Sequence, residues 1–290
     1  MFKVFAPAKV NLCLHVTGRR SDGYHLLDSI VGFADVGDWL TLRQGVAAGL
    51  DLTGPEAAAL KGGPNIITRT LAEFGASGLH GMLVKNLPVA SGIGGGSADA
   101  AAAYRGLNAL LGRAPVPSDA GKLLALGADV PMCVPSTPAH ISGIGEAIKP
   151  LPDMAPLAAV LVNPRVAVAT PDVFRALQQK ENPPIAPLPQ QQNDAGALMD
   201  WLAAQRNDLQ PPAMIIAPAI ADVLAALAQS GAQLWRMSGS GATCFGLYDS
   251  KFAAQRAADS LRHACPNWWI ASCTLNGGID VTPQEIRATT

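Results

Sequence analysis

The sequence predicts an α+β protein in two domains, residues 1–150 and 151–290. Three observations carry that expectation. The chain has 290 residues, 49% hydrophobic and 15% charged, which suffices for two modest cores. From Val10 to Val16 apolar residues alternate, the period of a half-buried strand. After residue 150 the segments run strand 157–163, helices near 171–179, 194–205 and 218–229, strands 232–237 and 242–248, helix 250–263 and strand 268–274. That order fits a split βαβ arrangement.

In the first half, the alternation sets Val10, Leu12, Leu14 and Val16 on one face and Lys9, Asn11, Cys13 and His15 on the other. Strands are expected at 38–43 and 81–86, with a helix at 65–74 opened by Pro64 and Asn65. A helix over 97–111 closes at Gly112, and one over 118–126 closes at Gly127. Asp119, after Pro115 and Pro117, reads as a helix-start residue. Residues 181–192, ENPPIAPLPQQQ, sustain neither period and predict an exposed loop. Trp268 and Trp269 should straddle the last strand, one buried and one half-exposed.

A net charge of −1 gives no basic field for duplex DNA or an anionic membrane, so small molecules are the expected partners. The five cysteines, at 13, 133, 244, 265 and 273, are odd in number and form no CxxC pair. They predict buried thiols in a reducing compartment, not a disulfide framework or a zinc site. No apolar run approaches a membrane span. The expectation is a cytoplasmic monomer or weak homodimer.

The strongest motif is LPVASGIGGGSADAAAA, residues 87–103, where glycines at 92, 94, 95 and 96 lead into an alanine-rich helix. Glycines let the backbone turn its N–H groups inward, and the helix adds the positive end of its dipole, a combination suited to phosphate. It is not a Walker loop, because Ser97, Ala98 and Asp99 follow where Lys-Ser/Thr is required. Gly92, Gly94 and the run beyond nearly give the dinucleotide fingerprint, but an acidic residue at a second strand end is missing, which makes a nicotinamide enzyme the weaker reading. A tight glycine turn before an ordinary helix is the remaining plain reading.

Three further segments join this loop: APAKVNLCLHVTGRRSDGYHLLDSIV from residue 6, GADVPMCV from 127 and RMSGSGATCFGLY from 236. With the loop they resemble, in order and spacing from residue 6 to about 248, the motifs of the GHMP small-molecule kinases. The resemblance implies a ribosomal protein S5 domain 2-like N-terminal domain and a ferredoxin-like C-terminal domain, with the site in the cleft. It also implies ATP as phosphoryl donor, Mg2+ and an alcohol acceptor on a small molecule bearing a cytidine diphosphate group. A kinase of the same family acting on homoserine, mevalonate or a sugar, or a non-catalytic nucleotide-binding module, is the alternative.

By this resemblance Asp129 is the catalytic aspartate and Lys9 its partner. Asp129 lies between a helix end and Val130, which Pro131 biases towards extended backbone. A nearby ammonium keeps a carboxylate ionised and offsets charge on the group in transfer. Tyr24 and His25 can stack on a pyrimidine and bond its edge; the resemblance adds Phe174 on the other side of the base and Asn11 near the acceptor. Thr170 is a weaker candidate, since capping a helix would explain it. For ATP the resemblance points to Asn65, Lys85, Pro88, Ser91, Gly92, Gly94, Gly95, Gly96 and Ser97, with Ser97 a candidate magnesium ligand. A helix cap at Asn65 and a solvated strand-end lysine at Lys85 stay open. The turn Ser238-Gly239-Ser240-Gly241 brings further N–H donors to the cleft or forms a plain hairpin. Ala98 departs from the family's second serine, and Asp99 reads as a structural residue of the first helical turn. His15 and His263 are given no chemistry.

Overall fold

The structure, a computed structural model, describes residues 1–45, 47–60 and 65–286; Pro64 lies outside them. Two long strands organise it. The alternation seen from Val10 to Val16 extends both ways into β1 (Phe2–Arg19), which pairs antiparallel with β2 (His25–Gln44). The register shifts between Pro7 and Lys9, Asn11 and Cys13, and Val16 and Gly18. Each irregularity resets the alternation, so Cys13 joins Val10 and Leu12 in the core, away from the face of Lys9 and Asn11 on which the simple period puts it.

Then come β3 (Gly49–Thr53), α1 (Ile66–Glu73), β4 (Leu79–Val84), α2 (Gly95–Leu110), α3 (Ala120–Leu126), α4 (Val130–Cys133), β5 (Ala139–Gly143) and β6 (Ala147–Pro150). β4 and β5 pair antiparallel with β2, and β3 lies parallel to β4. Ala98, Ala102, Ala103 and Leu107 of α2 pack with Ile67 and Leu71 of α1 on Val4, Ala6, Leu40 and Leu42. Alanine lets α2 approach the sheet closely: a Cβ on Gly106 would sit 2.9 Å from Leu42. The first half of β2 and the strands β3, β5 and β6 exceed the sequence expectation; Ser29 to Ala34 are buried throughout, which erases a period of two.

The second half holds β7 (Leu157–Asn163), α5 (Thr170–Ala176), α6 (Ala195–Ala203), α7 (Gln210–Ile216), α8 (Ala219–Gln229), β8 (Leu234–Met237), β9 (Cys244–Tyr248), α9 (Lys251–Ala264), β10 (Trp269–Leu275) and the short β11 (Gln284–Glu285). The order β10-β7-β9-β8, all antiparallel, is the split βαβ arrangement. Ile220, Val223, Leu224 and Leu227 of α8, and Ala254, Ala257, Ala258 and Leu261 of α9, are stripes at helical spacing on one sheet face. The other face covers Val10 and Leu12. α7 was not expected, because Pro211 and Pro212 look like breakers; both fall in its first turn, where no backbone donor is lost. One register pair, Ala34 with Leu275, joins the two strand groups, and β11 returns to β1.

Residues 181–192 have no regular structure, as expected, yet they are not a loose loop. The Asn182 and Ile185 amides donate to Val16 O and Asp28 Oδ2, and Ile185 and Leu188 pack on the core. The tryptophans also differ from expectation: both are half-buried, Trp268 against one core and Trp269 against the other, because β10 begins at Trp269 and exposes its start.

Candidate active site

The glycine loop is held from two sides. Lys9 N donates to Ile93 O at 2.9 Å, fastening the loop to β1. On the opposite side Thr243 N donates to Ser91 O (3.0 Å) and Ser238 Oγ to Gly92 O (3.0 Å). The 238–241 turn is therefore more than a hairpin: it is docked on the loop, and Asn207 Nδ2 holds it from behind through Met237 O and Gly239 O. Gly92 sits at φ +78°, and a Cβ there would lie 2.6 Å from Ser238 O. Gly94, left-handed at φ +66°, caps α2, whose first turn faces a cavity of about 1370 Å³.

Lys9, 4% exposed, reaches this cavity with Nζ 2.9 Å from Asp129 Oδ2 and 2.7 Å from Asn11 Oδ1. Asn11 Nδ2 donates to Ser29 Oγ, which donates to Cys13 O. This chain fixes the amide, so its oxygen faces the ammonium. Asp129 remains about one-third exposed, open to a ligand. Val130 is not extended: it opens α4, and Asp129 precedes it in helical backbone (φ −83°). Pro131 falls in the first turn of α4, where proline is tolerated.

Asn65, Ser91, Gly92, Gly94, Gly95, Gly96 and Ser97 line the same cavity, as do Gly239, Ser240 and Gly241. Pro88 and Ser238 lie behind its wall; Pro88 acts through its carbonyl, which accepts from Ser91 Oγ at 2.7 Å. Asn65 caps α1, its side chain accepting from Ile67 N at 2.8 Å. Lys85 is not solvated. It is 2% exposed, with Nζ 2.5 Å from Asp38 and 2.7 Å from Asp99, beneath Gly95. Burial alone would lower its pKa, but the two carboxylates raise it. Asp99 is likewise no first-turn residue, since α2 already begins at Gly95. Burial, opposed by Lys85 and reinforced by Asp38, pushes its carboxyl up to about 8.

At the far end Tyr24, His25, Thr170 and Phe174 line the cavity. The ring pair that forms is His25 on Phe174, centroids 4.9 Å apart and nearly parallel, while Tyr24 stays 61% exposed. The half-buried imidazole gains this packing. Burial, then Arg19 and Lys180, hold the His25 pKa below its ordinary value. Its Nε2 is buried without a partner. Thr170 does not cap α5, since Ala169 holds the cap position; the hydroxyl lies 2.7 Å from Ser240 Oγ and ties α5 to the turn.

Asp38, Ser29, Asn207, Arg19 and Lys180 were missed by sequence reasoning. Asp38, Ser29, Asn207 and Lys180 are remote in sequence from the groups they serve (Lys180 from His25), and only Arg19, beside the DGYH segment, carried a local signal.

A fold of this order, with a glycine loop facing a lysine–aspartate pair, defines a small-molecule kinase. The chain belongs to the GHMP kinase family: the profile described as "GHMP kinases N terminal domain" matches residues 63–142, and "GHMP kinases C terminal" matches residues 185–267. It is 54% identical over 278 residues to the 4-diphosphocytidyl-2-C-methyl-D-erythritol kinase of Roseobacter denitrificans, covering 94% of this chain and 93% of that one. Identity to the protein of the same name from Dinoroseobacter shibae is 53%, over 93% and 94% of the two chains. A crystal structure of 4-(cytidine 5'-diphospho)-2C-methyl-D-erythritol kinase matches with a TM-score of 0.78 at 33% identity, covering 95% of this chain and all of that one. A homoserine kinase from Cytophaga hutchinsonii, 20% identical with a TM-score of 0.62, covers 98% and 96% of the two chains and shares the fold. The chain is thus an ATP-dependent small-molecule kinase. Among the described residues no helix is long and apolar enough to cross a membrane.

Proposed function

We propose that this kinase transfers the γ-phosphoryl group of ATP to the 2-hydroxyl of 4-diphosphocytidyl-2-C-methyl-D-erythritol, giving the 2-phosphate and ADP in isoprenoid precursor synthesis. The observation that carries the chemistry is the Lys9–Asp129 contact of 2.9 Å, opening on the same cavity as the glycine loop. Phosphoryl transfer needs positioning and charge stabilisation more than covalent chemistry. The loop backbone from Ser91 to Ser97 and the start of α2 hold the phosphates. Lys9 offsets charge on the group in transfer, and Asp129 accepts the hydrogen bond of the attacking hydroxyl. Tyr24 and Phe174 take the two sides of the cytosine, and the unpartnered His25 Nε2 is free to bond its edge.

Magnesium fits this donor set. The Ser97 hydroxyl, in the first turn of α2, is an oxygen donor on the cavity wall, and Mg2+ on a nucleotide typically takes few protein ligands besides phosphate and water. Ser97 at the loop end would hold it, and the ion would neutralise phosphate charge. Residues 1–150 and 151–290 form the two domains in this reading, in a cytoplasmic monomer or weak homodimer.

The test offers the protein ATP and magnesium with the cytidyl alcohol, homoserine or mevalonate in parallel and follows ADP release. Turnover is expected with the cytidyl alcohol alone; turnover of either competitor without it sinks the specificity. Asp129→Asn should lower kcat by about a thousandfold, within the range for loss of an acid–base group, and leave ADP affinity nearly unchanged. Near-normal turnover would remove Asp129 from the mechanism.

A further inference from the structure

Two loops far apart in sequence meet beside the glycine loop. Glu56, 5% exposed, accepts two parallel bonds from Arg165, Nη2 to Oε1 at 2.7 Å and Nη1 to Oε2 at 2.9 Å. This is the bidentate fork in which a guanidinium carries geometry as well as charge. Arg165 has φ +60°, in the left-handed region seldom adopted by side chains like arginine. Its amide is held there by Asn163 Oδ1 at 2.7 Å.

Each end of the ion pair continues into the loop. Glu56 N donates to Lys85 O at 3.1 Å, and a Cβ on Gly54 would sit 2.6 Å from that carbonyl, so this turn lies against Lys85. From Arg165 the path runs through Asn163, whose Nδ2 donates to Thr243 Oγ1 at 2.9 Å, and Thr243 N donates to Ser91 O. The circuit thus closes on Lys85 and Ser91, the two ends of the segment that leads into the glycines. The same loops carry cavity wall: Ala59 and Leu60 follow Glu56, and Val168 and Ala169 follow Arg165.

We propose that the Glu56–Arg165 ion pair is a positioning clasp for the nucleotide, setting the entry of the glycine loop and the spacing of the two walls beside it. The proposal rests on the reading that ATP phosphates lie on this loop. Neither residue touches the reacting atoms, so its loss should appear in nucleotide affinity and not in the chemical step.

The experiment compares wild-type enzyme with Arg165→Gln, Arg165→Lys, Glu56→Gln and the Glu56→Gln/Arg165→Gln double variant, measuring both KM values, kcat, ADP affinity and Tm. Arg165→Gln should raise KM for ATP and Kd for ADP together, by about five- to tenfold, the scale of a modest coupling between sites. KM for the cytidyl alcohol and kcat should stay within about twofold. Arg165→Lys should recover part of the loss, and the double variant should be no worse than the worse single, as for two halves of one interaction. A folded Arg165→Gln protein with unchanged KM for ATP overturns the clasp, as does a parallel fall of kcat and both affinities with Tm. If Glu56→Gln fails to fold, the Arg165 variants decide. Gly96→Asp separates this from the underlying reading, because a Cβ at 96 meets nothing within 4 Å and the carboxylate should repel phosphate. Unchanged KM for ATP in Gly96→Asp overturns the loop reading and the clasp with it; a raised KM there with none in Arg165→Gln overturns the clasp alone.

Discussion

Asn11 shows how a residue expected near the substrate serves a neighbour. Its amide oxygen is occupied by Lys9 and its amide nitrogen by Ser29, so Asn11→Ala should leave Lys9 free to change rotamer beside Asp129. We expect kcat to fall about tenfold, the scale of misplacing a charge-stabilising group, with ATP affinity little changed; steady-state kinetics on both substrates checks it. A larger effect on KM for the alcohol than on kcat would show direct binding instead, since Asn11 also lines the cavity. Lys9, Asn11 and Asp129 were legible in the sequence because motif and strand period agree on them. The alternative of a solvated Lys85 fails because its two carboxylates come from residues 38 and 99, and no local pattern announces a partner 47 residues away.

Among the elements, the glycine loop depends on what lies behind it. Gly92→Ala would push a methyl against Ser238 O and Gly241 O in a left-handed backbone. We expect a loss of about 1–3 kcal/mol for such strain, read as a lower denaturation midpoint, with turnover falling as the 238–241 turn lifts. A variant of wild-type stability and activity would show that the contact is not required. Helices were readable where caps and stripes coincide, as at Asn65 and along α8. Strands buried on both faces, such as the first half of β2, were not, because continuous burial removes the alternation that marks a strand. The bulge near Leu12 was invisible for a related reason: one inserted residue changes the facing of Cys13 without changing any residue type.

For the molecule as a whole, His15 joins β1 to the segments that follow α5 and α6. Its Nδ1 lies 3.2 Å from Pro183 O, and its Nε2 accepts from Arg206 N, a pair of bonds that needs the neutral ring with hydrogen on Nδ1. Burial, then Arg206, lowers its pKa in the fold. The unfolded chain therefore takes up the proton first as pH falls below about 6.5. The stabilising contribution is present above that value and lost below it, with His25 acting in the same direction. Thermal melts from about pH 7.5 to about 5.5 should show Tm falling, and falling less in His15→Gln; an equal fall in both proteins would contradict this. The two-domain α+β plan and the order of the second half were legible, since their helices and strands alternate with clear punctuation. How β1 is shared was not, because Val4, Val10 and Val16 read alike yet enter three separate cores.

That shared strand has a consequence for biosynthesis. β1 leaves the ribosome early, but Leu14 and Val16 pack on residues from Val160 to Ile270, and the glycine loop is braced by Thr243. At roughly 5–20 residues per second, the nascent chain carries an apolar strand without its cover for about ten seconds or more. Vectorial folding can build the first sheet and seat Lys9 in that interval, but the glycine loop gains its braces from Ser238 and Thr243 only as the last quarter of the chain emerges.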